Sequence, residues 1–170
     1  VWKASRLGGI VTPSVATRDA LVRIGCDANR IQVIANGVDL DEFCPASRRK
    51  RNPRKVLLCP GRIVAGKGQH LAIDAVRRLP DAQKSHVLLR VVGSVVDPVY
   101  YHHLKLAAAG EPVEFATEVE AMAQYYQHAD LVLFPTLMAE GFGYTAVEAM
   151  ACGRPVVWSE QPAIREATGG

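Results

Sequence analysis

"KVLLCPGRIVAGKGQH", Lys55 to His70, decides how the rest of the chain is read. Val56-Leu57-Leu58-Cys59 is a short apolar run without alternation, the pattern of a strand covered on both faces. Gly61 follows, and Leu71, Ala72, Ala75, Val76 and Leu79 then recur at helical spacing, which predicts a helix over Gly68–Leu79. The same alternation continues downstream. Strands are expected at Val87–Val92, Val113–Ala116, Leu131–Phe134 and Pro155–Trp158, with helices at Val99–Ala109, Glu118–His128 and Tyr144–Cys152 between them. Gly110 and Gly153 suit helix C-termini. Apolar strands separated by helices imply an α/β fold: a doubly wound, Rossmann-like parallel sheet with both faces covered.

Residues 1–45 read as a separate piece. "GGIVTPS" is a strand followed by Ser14 as an N-cap, Val15–Ile24 is a helix ending at Gly25, and "IQVIANGVDLDEF" is a strand running into a turn at Asn36-Gly37. This is expected to be the tail of a preceding domain, with residues 46–170 forming the second. The starts and stops, Val1-Trp2-Lys3 and Thr168-Gly169-Gly170, read as cuts inside a longer protein.

At 170 residues and 49% hydrophobic, the chain can bury a real core. No apolar run approaches the roughly 20 residues of a membrane span. The cysteines, Cys26, Cys44, Cys59 and Cys152, include no C-x-x-C pair, and the histidines show no ligand spacing, so no metal site is expected. Cys59 and Cys152 are expected to be buried free thiols, which suits a cytoplasmic protein. The net charge of +3 resides in one patch. Arg48, Arg49, Lys50, Arg51, Arg54 and Lys55 supply six of the twenty basic residues, and the remaining fourteen face seventeen acidic ones. The patch reads as a solvated linker, with contact to acidic lipid head groups at the inner membrane face as a secondary expectation and no nucleic-acid partner.

In an open parallel sheet, ligands bind beyond the carboxyl ends of the strands. Two loops there carry chemistry. Gly61-Arg62 and Gly66-Lys67 nearly spell the phosphate loop G-x-x-x-x-G-K-[ST], but Gly68 stands where a metal-ligating hydroxyl is needed. The second loop, Glu140-Gly141-Phe142-Gly143, leads into a helix beginning near Tyr144 and Thr145. The unpaired amides of such a helix start favour an anion. Glu148, about 6 Å further along the axis, can face the same mouth, and a carboxylate beside phosphate makes sense if it accepts hydroxyl hydrogens from ribose or sugar.

E-G-F-G followed by E-A-M-A-C-G-x-P-V-V, with seven residues between Glu140 and Glu148, resembles the E-x(7)-E motif of retaining GT-B glycosyltransferases, family 4 in particular, of the glycosyl transferases group 1 type. "PGRIVAGKGQHLAIDAV" is similar to that family's G-R-x-x-x-x-K-G segment, and "IQVIANGVDLDEF" to its interdomain segment. The resemblance implies the donor-binding C-terminal half of a GT-B fold. It implies that Arg62 and Lys67 bind the diphosphate of a UDP-, GDP- or ADP-linked sugar without a metal or other cofactor. Glu148 would hold the ribose, Glu140 the sugar, and Gly61 and the backbone of Gly141–Thr145 would assist. The nucleobase is expected near Val113–Ala116. After Val157 the chain departs from the family's pattern, since "WSEQPAIRE" lacks its usual glycine. The acceptor would be a sugar, glycan or lipid-linked molecule, as in polysaccharide or lipopolysaccharide biosynthesis. Three other readings stand beside this one: a non-catalytic nucleotide-sugar or anion-binding module, a hydrolysing NTPase, and a metal-binding D-x-D pair at Asp39-Leu40-Asp41, whose plainer reading is an interdomain turn.

Overall fold

The computed structural model describes residues 8–47 and 52–170. Most of the basic run (Arg48 to Arg51) and the opening Val1-Trp2-Lys3 lie outside the described residues.

The first unit is a strand–helix–strand. β1 (Ile10–Thr12) and β2 (Ile31–Val33) pair in parallel, joined by α1 (Val15–Arg23). Ser14 caps α1 as expected, its hydroxyl accepting the Thr17 amide. Val11 and Ile34 are exposed at the small sheet.

The second unit alternates throughout. β3 (Lys55–Pro60) leads to α2 (Gln69–Arg77) and a single turn, α3 (Asp81–Lys84). β4 (Val87–Val92), α4 (Pro98–Ala107), β5 (Val113–Ala116) and α5 (Met122–His128) follow. β6 (Leu131–Phe134), α6 (Tyr144–Ala151), β7 (Val156–Trp158) and α7 (Pro162–Thr168) complete it. All neighbours are parallel, in the order β5-β4-β3-β6-β7. The expected doubly wound sheet is therefore the fold.

β3 shows why its sequence is apolar without alternation. Cys59 packs on the α2–α4 side with Ile73, Val76, Leu89 and Leu104, while Leu58 packs on the α5–α6 side with Val92, Tyr126, Val132 and Ala149. Beyond the exposed Lys55 at its start, both faces of the strand are core, which is why Val56–Cys59 carries no charge. Cys59 and Cys152 are buried free thiols, and burial pushes the Cys59 thiol up to about 12.

Boundaries differ in informative places. The helix expected from Glu118 starts only at Met122, and residues 118–121 carry no helical turn. The expected start at Gly68 fails because Gly68 is left-handed (φ +71°), which places it outside the helix as its cap. Neither α3 nor α7 was anticipated. Each is too short to display a helical period, four and seven residues respectively.

Candidate functional site

β3 is first in its unit yet sits at the centre of the sheet, so the strand order reverses between β3 and β6. At such a switch point the two following loops diverge and leave a crevice beyond the strand ends. The loop after β3 supplies Lys67 and the loop after β6 supplies Glu140.

Close backbone contacts bind these loops to each other. The Gly66 carbonyl accepts the Leu137 and Met138 amides at 2.8 and 3.1 Å. Gly68 lies so close to the β6 loop that a Cβ there would stand 2.0 Å from the Pro135 carbonyl oxygen. This, with its positive φ, accounts for Gly68 on steric grounds.

Lys67 and Glu140 form an ion pair, with side chains only 16% and 14% exposed. Thr136, fully buried, donates its hydroxyl to the same Glu140 Oε1 at 2.8 Å. Lys67 Nζ also stands 5.6 Å above the Phe134 ring. The arrangement holds the ammonium in the crevice, and Oε2 of Glu140 carries no bond among the described residues. A cavity of about 320 Å³ opens here, within the ~300–1,000 Å³ range of ligand pockets. Lys67, Phe134 and Glu140 to Thr145 line it, together with Pro13 and Asn36 of the first unit.

At the mouth, α6 begins after Gly143, whose φ of +97° only glycine adopts easily and whose missing Cβ makes room for Ile164. The amides of Phe142, Gly143, Tyr144 and Thr145 donate to no group among the described residues. Unpaired amides at a helix start favour negative charge, so this geometry is suited to an anion.

Glu148 and Arg62 are placed differently. Glu148, one turn into α6, does not line this cavity. Its Oε2 accepts the buried Tyr126 hydroxyl of α5 at 2.7 Å. Burial raises the Glu148 carboxyl above its ordinary value, the Tyr126 hydrogen bond lowers it partway, and the charge of Glu42 raises it again. Burial also lifts Tyr126 well above the usual phenol range, with the Glu148 charge adding to it. Arg62 is exposed and its guanidinium makes no bond among the described residues, while its carbonyl accepts Gln69 Nε2 at 2.9 Å. Gly61, at the end of β3, likewise does not line the cavity.

Of the Val113–Ala116 strand, Glu114, Phe115 and Ala116 border a separate hollow of about 270 Å³ with Arg90 and Tyr125. A larger cavity of about 490 Å³ adjoins the same Arg90 and Tyr125, but the Arg90 cation there is already paired with Glu114. Asp39 uses its Oδ1 to accept the Asp41 and Glu42 amides at 2.9 and 3.2 Å, a local turn as the plainer reading of D-x-D had it.

Thr136, Phe134 and Tyr126 were not singled out from the sequence. Thr136, two residues past an apolar strand on the sheet's carboxyl side, was the one signal available. Tyr126 reads in sequence as an ordinary core position of α5.

The family of glycosyl transferases group 1 matches residues 54–170. A D-inositol 3-phosphate glycosyltransferase of Paenarthrobacter aurescens is 35% identical over 162 residues, covering 87% of this chain and 40% of that protein. One from Catenulispora acidiphila is 32% identical, covering 81% and 36%. The chain thus spans about two fifths of the length of these curated relatives. Among solved structures, Anabaena Alr3699/HepE in complex with UDP and glucose superposes with a TM-score of 0.84 at 25% identity, over 96% of this chain and 47% of that one. WaaG, a glycosyltransferase involved in lipopolysaccharide biosynthesis, shares the fold with a TM-score of 0.77 at 19% identity. With its parallel sheet, switch-point crevice and E-x(7)-E spacing, the chain belongs to the glycosyl transferases group 1 family.

Proposed function

We propose that this chain is the donor-binding part of a glycosyltransferase that moves a sugar from a nucleoside diphosphate to an acceptor, retaining the anomeric configuration and using no metal. The observation that carries this reading is the convergence of the Lys67 ammonium, the open α6 amides and the Glu140 carboxylate on one crevice. The Anabaena neighbour, seen with UDP and glucose and also with UDP-glucose, supports it.

In this reading the diphosphate rests on the amides of Phe142–Thr145 and on Lys67. As the bond between the sugar's anomeric carbon and the diphosphate oxygen breaks, negative charge collects on the phosphate. Fixed donors there stabilise the transition state more than the ground state. The acceptor oxygen bonds to the same carbon from the same face and passes its proton to the departing phosphate. Arg62, exposed beside the crevice, swings in as the second cation. Glu140 accepts a sugar hydroxyl through its open Oε2, and Glu148 accepts from the ribose. The base lies toward β5.

Residues 1–45 belong to the acceptor half in this reading. Pro13 and Asn36 in the cavity wall, and the exposed apolar Val11 and Ile34, support that placement. The acceptor is a sugar, glycan or lipid-linked molecule, and the work is done at the cytoplasmic side, with the basic run at 48–55 near the membrane. Among the described residues no helix is long and apolar enough to cross it.

Titration calorimetry with UDP, GDP and ADP, in EDTA, tests the core of the proposal. At least one nucleotide should bind, and Lys67→Ala should weaken it about ten- to hundredfold, as for a lost charged hydrogen bond. Binding that vanishes on chelation and returns with Mn²⁺ would overturn the metal-free reading. Steady phosphate release from ATP, abolished by Lys67→Ala, would replace a transferase with an NTPase.

A further inference from the structure

The loop that carries Glu140 is held from the far side by the first unit. The Ser14 hydroxyl donates to the Gly141 carbonyl at 2.7 Å, and the Thr17 hydroxyl donates to the same oxygen at 3.2 Å. Ser14 is buried, and its oxygen also caps α1. Across the same contact, Glu166 of α7 accepts the Val15 amide with both carboxylate oxygens (2.8 and 2.9 Å) and the Ala16 amide at 3.3 Å. Those are first-turn amides of α1, which have no partner within the helix. α7 in turn presses Ile164 against Gly143, where an added Cβ would come within 2.9 Å. α1, the Gly141–Gly143 loop and α7 thus form a closed ring of contacts, and the two that involve α1 join residues more than a hundred positions apart.

We propose that Ser14, Thr17 and Glu166 are positioning residues: a latch through which the seating of the first unit sets the shape of the diphosphate-binding loop. The physical link is one peptide plane. In a trans peptide the C=O of Gly141 and the N–H of Phe142 point in opposite directions. Two hydroxyls fix that carbonyl toward α1, so the Phe142 amide faces away from α1. Without them the peptide can turn over and present a carbonyl oxygen, the wrong sign, to a bound diphosphate. Glu166 keeps α1 in register for this. Its charge neutralises the positive end of α1, so the two units attract where they meet.

The inference rests on the donor-site reading, and coupling works in both directions. Two measurements on this chain with UDP as the probe test it. In calorimetry, Ser14→Ala combined with Thr17→Val should weaken UDP about five- to tenfold, the low end of allosteric couplings. Glu166→Gln, an exposed change that leaves the core alone, should weaken it less, and Thr17→Ser, which keeps the hydroxyl, should restore native affinity. In hydrogen exchange, saturating UDP should slow the Val15 and Ala16 amides, which in this reading touch no part of the nucleotide. A merely structural contact would not respond this way. Unchanged UDP affinity in both latch variants, with Lys67→Ala still weakening it, would overturn the latch and leave the site intact. Unchanged exchange at Val15 and Ala16 would overturn it as well. If Lys67→Ala leaves UDP binding unaltered, the donor site is wrong and the latch falls with it.

Discussion

The two loops at the switch point are tied down differently. In the loop after β3, Lys67 donates to Val64 and Gly68 to Ala65, while Ile63 donates to Ser94 of the loop after β4. At the start of α2 the His70 amide donates to the Tyr100 hydroxyl at 3.1 Å. The loop after β6 leaves four successive amides, Phe142 to Thr145, without a partner among the described residues. Two helices therefore begin beside one crevice, and α6 is the one whose first residues line the cavity. The β3 loop contributes a cation on a rigid mount, and the β6 loop contributes backbone.

The largest way to break this arrangement is to wedge the loops apart. Gly68→Ala puts a methyl group on the Pro135 carbonyl at a positive φ, and should cost about 4 kcal/mol or more in urea unfolding, the size that marks backbone strain with overpacking. Gly61→Ala, also at positive φ (+126°) but with nothing within 4 Å, should cost only about 1–3 kcal/mol. Equal losses would show that conformation, not loop contact, governs Gly68.

Next is Lys67. Its removal subtracts the cation from the crevice and leaves Glu140 half-buried and charged beside the anion site, so UDP affinity should fall by about 2 kcal/mol or more in calorimetry. Lys67→Ala with Glu140→Gln should bind UDP better than Lys67→Ala alone. If the double variant is worse, the two side chains serve the nucleotide independently.

Glu148 gives a smaller, pH-dependent effect. Its carboxyl is raised by burial, so its charged form is lost at a higher pH than for an exposed glutamate. If it accepts ribose hydroxyls, UDP affinity should decline as pH falls through that raised value, and Tyr126→Phe should move the decline higher still by removing the hydrogen bond that lowers it. Stability should move the other way. A carboxyl raised in the folded state binds its proton more tightly folded than unfolded, so this group adds stability as pH falls through its folded pKa. Calorimetry and urea titration at matched pH check both signs. An acid limb identical in Glu148→Gln would remove Glu148 from ribose binding.

Tyr100→Phe should do least. It unties the His70 amide and should cost about 1 kcal/mol of stability while leaving UDP affinity within about twofold. A clear change in affinity would mean that α2, too, faces the ligand.

The order of elements, the parallel sheet and the E-x(7)-E pair were legible because each rests on local pattern: apolar runs in strands, 3.6-residue recurrence in helices, and glycines beside carboxylates. Helix starts at Gln69 and Met122 were misplaced because a left-handed glycine and an uncapped coil leave no periodic mark. Within the site, the sequence marked Lys67, Glu140 and the Gly141–Thr145 backbone for one place, and the structure brings them together. It could not show that Arg62 stands outside the cavity, or that Glu148 turns to Tyr126 while Thr136 steadies Glu140. Those outcomes depend on which side chains of distant elements meet. Ser14 was readable as a helix cap three residues before Thr17, yet its bond to Gly141 joins positions 127 apart. By itself the sequence determined the strands and the longer helices, the family and the chemical types gathered at the strand ends. Only tertiary packing decided which carboxylate pairs with the lysine, which helix start stays open and which distant hydroxyls hold the loop, because hydrogen bonds are satisfied by proximity in space and the chain encodes that only through the whole fold.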